Sequence, residues 1–171
     1  MREFRGEAAG VVGPPVEDCL ALLAAVDRYP DWCPDVVRDV EVLDRGAGGQ
    51  PTTVRMRMHI VRGPVDREFD LFLAIVVEPP GTVRLTRVTD HPTEQEFEAT
   101  WLLSPAGSTW ISLQLEARLR VPSYIPAGGF GDAIAKAFVT AACRALADPS
   151  HEAGGPSRRD PRSAAPRDHS D

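Results

Sequence analysis

Arg87 is the residue whose chemistry most needs explaining. In the run VRLTRVT (83–89), strand alternation sets Leu85, Arg87 and Thr89 on one face. The run EQEFEATW (94–101) adds Gln95, Phe97, Ala99 and Trp101 to that face, leaving Glu94, Glu96 and Glu98 opposite with Arg84. A guanidinium on an apolar face is costly unless paired or wetted, so a ligand carbonyl, enolate or carboxylate would give it a partner. The plainer alternative is that Arg87 stands at the sheet rim and reaches water. Tyr124, in PSYIPAGG (122–129), either gates an entrance and offers a phenolic proton or is simply exposed. Trp32 and Tyr29, in YPDWCP (29–34), either line an opening or plug the end of the core.

No residue set spells out catalysis. There is no nucleophile elbow, P-loop, dinucleotide fingerprint or metal-spaced histidine set, so neither a metal nor a cofactor is expected. The four histidines, His59, His91, His151 and His169, fall on an outer strand face, in a turn and in a polar tail. The glycines of PAGGFG (126–131) lack the strand and lysine of a phosphate cradle and read as a flexible loop. The three cysteines, Cys19, Cys33 and Cys143, are odd in number and far apart, which excludes a disulfide framework and a CxxC site. Cys33 and Cys143 read as small buried hydrophobes, and Cys33 has no evident base beside it.

These residues must be positioned by a β-rich scaffold. After a short first strand, Pro15 opens an amphipathic helix, with Glu17 and Asp18 at its positive end and Val16, Leu20, Leu23 and Val26 on one stripe. A second short helix or turn covers residues 29–34. Strands are predicted over Val36–Leu43, Thr53–Val61, Val65–Val77, Val83–Thr89, Thr93–Leu103 and Thr109–Val121, separated by Gly- or Pro-containing turns. Spacing this close favours an antiparallel meander. A long helix over Phe130–Ala147 carries a stripe of Phe130, Ile134, Ala137, Phe138, Ala141 and Ala145 to lay on the sheet.

Alternation also assigns the faces. In VDREFDLFLAIVV (65–77), Phe69, Leu71, Leu73, Ile75 and Val77 oppose Asp66, Glu68 and Asp70. In VRMRMHIV (54–61), Met56, Met58 and Ile60 oppose Arg55, Arg57 and His59. A two- or four-residue loop near Gly63 sets base against acid and methionine beside Phe69 and Leu71; a three-residue loop would set Arg57 against Phe69. Ile111, Leu113, Leu115, Ala117 and Leu119 complete the inner face. A sheet with a charged convex side and an apolar concave side follows, with the last helix available to cover the concavity.

The composition bounds the class. The 171 residues are 43% hydrophobic and 26% charged, enough for one packed domain. A net charge of −6, with no clustered basic face, argues against nucleic-acid binding. No apolar run is long enough to span a bilayer and the start of the chain does not read as a signal peptide, so a cytoplasmic protein is expected, without stable membrane insertion. The composition leaves the oligomeric state open. Residues 149–171 have no Val, Ile, Leu or aromatic residue, and four arginines balance four acids. They read as a disordered tail behind a domain of residues 1–148.

The order of elements resembles the helix-grip fold, an α+β architecture, of the START-like (SRPBCC, Bet v 1-like) superfamily. The stretch VVGPPVEDCLALLAAVDRYPDWCPDVVRDVEVLD (11–44), supported by EQEFEATWLLSP (94–105) and the final helix, resembles its polyketide cyclase/dehydrase and coenzyme Q-binding branch. The resemblance implies a curved sheet of about seven strands around a C-terminal helix, enclosing a deep apolar cavity. It implies a hydrophobic ligand (lipid, quinone or polyketide-like), handled by a carrier, chaperone or sequestering protein. The alternative is a cyclase or aromatase that folds a poly-β-ketone. The ligand-facing residues expected are Trp32, Met56, Met58, Phe69, Leu71, Arg87, Gln95, Phe97, Trp101, Leu113, Tyr124, Ile134 and Phe138, with Arg87, Gln95, Tyr124 and Thr89 as polar assistants in the cyclase case.

Overall fold

A computed structural model describes residues 1–89, 95–124 and 128–148. The predicted tail, residues 90–94 with His91 and Glu94, and residues 125–127 of the glycine loop lie outside the described residues. Strand β1 (Arg2–Val12) leads to α1 (Val16–Ala24), a 3-10 turn (Val26–Arg28) and α2 (Tyr29–Trp32). Then come β2 (Val37–Arg45), β3 (Pro51–Arg62), β4 (Val65–Glu78), β5 (Thr82–Arg87), β6 (Glu96–Ala106), β7 (Ser108–Leu119) and α3 (Phe130–Ala147). The strands form one curved antiparallel sheet in the order β1-β7-β6-β5-β4-β3-β2, so β2 to β7 are a meander and β1 returns beside β7.

Arg62 pairs with Val65, which leaves a two-residue connection in which Gly63 supplies the positive φ of 57°. An even loop keeps like faces together: Met58 faces Phe69, Met56 faces Leu71, and Arg57 faces Asp70. The concave face is apolar along its length, with Val54, Met56, Met58, Leu71, Leu73, Val83, Leu85, Trp101, Ile111, Leu113 and Leu115 all buried. Each such side chain contributes roughly 1.5–3 kcal/mol when removed from water, so a one-residue slip of any central strand would forfeit several of them at once.

On the convex face Arg55–Asp70, His59–Asp66 and Arg84–Glu98 run diagonally, while Arg5–Glu116 and Arg118–Glu96 pair straight across. Arg55 grips both oxygens of Asp70 and lies 5.8 Å above the Phe72 ring. Glu98 and Glu116 stand directly opposite each other. Each is drawn toward an arginine of a neighbouring strand, Arg84 at 3.8 Å and Arg5 at 3.7 Å, which relieves a like-charge contact. His59 bridges Arg38 and Asp66, at 2.8 and 2.7 Å. A guanidinium only donates, so His59 Nδ1 accepts and Nε2–H donates to the carboxylate.

Helix α3 lies on the concave face against β1 and β7. Its buried stripe is Phe130, Gly131, Ile134, Ala135, Phe138, Val139, Ala142 and Leu146, rotated from the expected one. Ala137 is exposed and Ala141 and Ala145 are half-buried, because the helix meets β1 through glycines at its start and Val139 at its middle. Pro15 stands just before α1 as its N-cap residue, one place earlier than predicted, with φ −66°. Helix α1 and the 3-10 turn bury Cys19, Leu23 and Val26 against the sheet, while Leu20 and Val16 are half-buried.

Candidate functional site

The space between the concave face and α3 is filled mainly by side chains. Among the described residues it holds two apolar gaps, each of about 10 Å³, no more than a single water needs. Neither gap by itself is the deep cavity that the resemblance implies. The first gap lies beneath the start of α3, lined by Met58, Phe69, Leu71, Phe97 and Ile134, with Phe4, Ile60 and Phe130. The second lies toward α2, lined by Met56, Phe97, Trp101, Leu113 and Phe138, with Tyr29, Leu85 and Ala99. Nine expected apolar residues thus sit at one or the other gap, brought there by alternation on β3, β4, β6 and β7 and by the i, i+4 spacing of Ile134 and Phe138.

The polar and mouth candidates stand elsewhere. Arg87 ends β5 half-buried; its Nη1 donates to the Gln95 carbonyl at 2.9 Å, while its buried Nε has no partner among the described residues. Neither Arg87 nor Gln95 lines a gap, because the end of a strand lets a long side chain turn away from the face its parity assigns. Tyr124 is 67% exposed, away from both gaps. Trp32 is half-buried and packs on Tyr29 at 4.7 Å, so it backs the gap wall rather than forming it.

Tyr29 carries the one hydroxyl among the described residues lining either gap, and it stands beside the indole of Trp101. Its hydroxyl donates to the Leu23 carbonyl at 2.7 Å, so its proton is committed to the fold. Burial holds its ionisation well above the ordinary tyrosine value, with the Trp101 indole opposing. Burial likewise pushes the Cys33 thiol up to about 11 and raises Cys19 and Cys143, which makes all three poor nucleophiles at neutral pH. Among the described residues no group of three His, Cys, Asp or Glu side chains could hold a metal ion. None of the described helices is long and apolar enough to cross a membrane.

Phe4, on β1, is the lining residue that strand reading passed over. The signal lay in the alternation Phe4, Gly6, Ala8, Gly10 and Val12, whose small members leave room for a helix to lie across them.

A seven-stranded antiparallel sheet gripping a C-terminal helix over an apolar interior defines the helix-grip, START-like class. The chain belongs to the polyketide cyclase/dehydrase and lipid transport family, whose model matches residues 12–143. A START superfamily protein from Mycobacterium smegmatis shares the fold at 18% identity and a TM-score of 0.66, over 83% of this chain and 96% of that one. The Zhui aromatase/cyclase from Streptomyces sp. R1128 does so at 18% identity and 0.60, over 90% and 99%. The di-domain ARO/CYC BexL, from the BE-7585A biosynthetic pathway, matches at 12% identity and 0.63, over 85% of this chain and 50% of that one, so the chain spans about half of BexL. No curated protein is similar to the chain in sequence.

Proposed function

We propose that this protein binds a hydrophobic small molecule between its concave sheet and α3, as a cytoplasmic carrier, chaperone or sequestering protein. The observation that carries this reading is the lining. Both interior gaps are walled by aliphatic, aromatic and thioether side chains, and the one hydroxyl at their margin is already hydrogen-bonded. Such a surface binds through apolar contact. Methionines at both gaps, Met58 and Met56, supply walls that reshape readily around a guest.

The alternative, cyclisation of a poly-β-ketone, needs donors or acids beside the chain. Arg87, Gln95 and Tyr124 lie away from both gaps, which favours the binding reading over the catalytic one. Residues 1–148 form the binding domain in this reading, and the tail is dispensable for it.

Native mass spectrometry of protein purified from cells, with organic extraction of any bound mass, tests the proposal. A co-purifying hydrophobic molecule, or saturable binding of an apolar fluorescent probe with micromolar affinity, is the expected result. Absence of binding across a library of lipids, quinones and aromatic polyketides would overturn it.

A further inference from the structure

The register between β2 and β3 steps from Val37–Met58 to Asp39–Arg57, so Arg38 is the extra residue of a β-bulge. Ladder pairing does not hold it to β3; its side chain does. Nη2 donates to His59 Nδ1 at 2.8 Å, and Nη1 donates to the Pro34 carbonyl at 3.2 Å. The connection from α2 to β2, residues 34–38, is thus tied to the sheet through one imidazole. The His59 backbone N–H donates to the Val36 carbonyl at 2.8 Å beside that tie. On the other side His59 Nε2–H donates to Asp66 of β4 at 2.7 Å, with the histidine side chain 18% exposed.

This bridge across three strands needs a bare Nδ1. A proton there turns the acceptor into a donor, facing a guanidinium that keeps its own charge throughout. The two can no longer share a bond, and the surrounding charges decide which partner leaves. Asp66 and Glu68, the latter directly opposite on β4, both attract a charged ring. Arg57, two residues along β3 on the same face, is placed between Asp39 and Asp70. Asp35 lies within the connection itself. Arg38 is the group left without an acceptor.

We propose that His59 is a pH-operated catch: neutral, it fastens the α2–β2 connection to the sheet through Arg38; protonated, it keeps Asp66 and lets Arg38 go. Release loosens residues 34–38 and the end of α2 that they follow. Tyr29 of α2 walls the second gap, so the catch sits at that gap's end of the fold. Histidine is the side chain that ordinarily changes charge between about pH 5 and 8. Of the four in the chain, His59 alone is among the described residues.

Amide exchange of the full chain tests this, expressed as protection factors so that the intrinsic effect of pH is removed. Val36 and Val37, whose N–H groups both donate to the Cys33 carbonyl, are the reporters. Their protection in the wild-type protein is expected to fall about tenfold between about pH 8 and pH 5. His59→Gln stays neutral throughout and is expected to abolish that fall; His59→Asn stands in if thermal melts show the glutamine variant unfolded. Arg38→Ala is expected to leave both amides poorly protected at either pH. Asp66→Asn is expected to keep the fall but displace it to more acid pH, because the charged ring has lost its anion. Ring nitrogen shifts, which need no variant, are expected to show Nε2 protonated and Nδ1 bare at the alkaline end. Unchanged protection in the wild type would overturn the catch, as would the other tautomer. A fall that survives in the His59 variants, or wild-type protection in Arg38→Ala at pH 8, would overturn it equally. The readout is the fold itself, so the result does not depend on whether the interior takes a guest.

Discussion

Gly6 of β1 and Gly131 of α3 meet backbone to backbone. A Cβ on Gly6 would lie 2.0 Å from the Gly131 carbonyl carbon, and one on Gly131 would lie 2.3 Å from the Arg5 carbonyl oxygen. Neither glycine has a positive φ, so the demand is for space and not for conformational freedom. The contact sets how low the helix rides over the sheet, and so how little room is left beneath Phe130 and Ile134. Asp132 reinforces the crossing by accepting the Glu7 backbone N–H at 3.1 Å, which also occupies a donor on the edge strand.

Alanine at either glycine is expected to destabilise the protein strongly, because neither neighbour is a side chain that can swing aside. Overpacking costs typically 1–3 kcal/mol, and a backbone clash belongs at the upper end. A fall in melting temperature of roughly 6–12 °C follows for a domain of this size. Gly13→Ala, with nothing within 4 Å of its Cβ, is the control and is expected to melt within about 2 °C of wild type. Equal melting temperatures for Gly6→Ala and Gly13→Ala would refute the close-contact account.

The buried wall at the α2 end makes stability fall on the alkaline side. Burial, the largest cause, lifts the Cys33 thiol from 9.0 to about 11, with the Val36 N–H opposing and Asp35 adding to the rise. The unfolded chain then loses the proton first, so stability is intact below pH 9 and is lost as pH rises toward 11, by about 2–3 kcal/mol from this group. Tyr29, raised above its ordinary 10 by burial, extends the loss above pH 10. Cys33→Ala is expected to flatten urea midpoints between pH 9 and 11, and Tyr29→Phe to flatten them above pH 10. Tyr29→Phe also leaves the Leu23 carbonyl without its donor, at about 1–3 kcal/mol at neutral pH. Variants whose midpoints fall as steeply as wild type would remove these two groups from the explanation.

The acid side is governed by a weaker, exposed pair. The Arg55 guanidinium, through its hydrogen bonds first, holds the Asp70 carboxyl below the usual carboxylate value of 3.8. The stabilisation is present above pH 4 and is lost as pH falls through the lowered value. Water and salt screen a pair this exposed, so Asp70→Asn is expected to lower the melting temperature at pH 7 by no more than about 2 °C, and less in 1 M salt. The difference should diminish as pH falls below 3.8. A difference that persists there would assign the effect to packing on Phe72.

Period two was enough to read the strand faces, because a pleated chain offers a side chain only two directions; Met56, Phe69, Phe97 and Trp101 followed from it directly. The rotation of α3 was not legible in the same way. Alanine supplies seven of its eighteen residues and stands on all sides of the helix, so burial is decided by contact with Gly6 and Gly10 of β1 rather than by hydrophobicity. Nor was the closed interior legible, since its volume depends on how closely α3 approaches the sheet. Arg87 shows the limit of parity at a strand end: its Cα obeys the alternation, while its guanidinium reaches the Gln95 carbonyl.

Arg62, at the tip of the β3–β4 hairpin, donates to the Gly129 carbonyl at 2.6 Å. Gly129 is the N-cap of α3, with a φ of 76°, and Ile60 and Phe130 beside this clasp both line the first gap. The bond therefore fastens the hairpin to the helix where the gap lies nearest the end of the fold. An exposed hydrogen bond contributes about 0.5–1.5 kcal/mol, so Arg62→Ala should move the global melting temperature by only a few degrees. Its local effect should be clearer: amide exchange at Ala133, whose N–H bonds Gly129, is expected to quicken about two- to tenfold. If ligands pass beneath the start of α3, association and dissociation of an apolar probe should quicken by a similar factor while its affinity stays constant, because the clasp opposes entry and exit alike. Faster amide exchange with unchanged probe kinetics would place the passage elsewhere on the fold. Unchanged exchange would show that Gly6 and Gly131 alone hold the helix down.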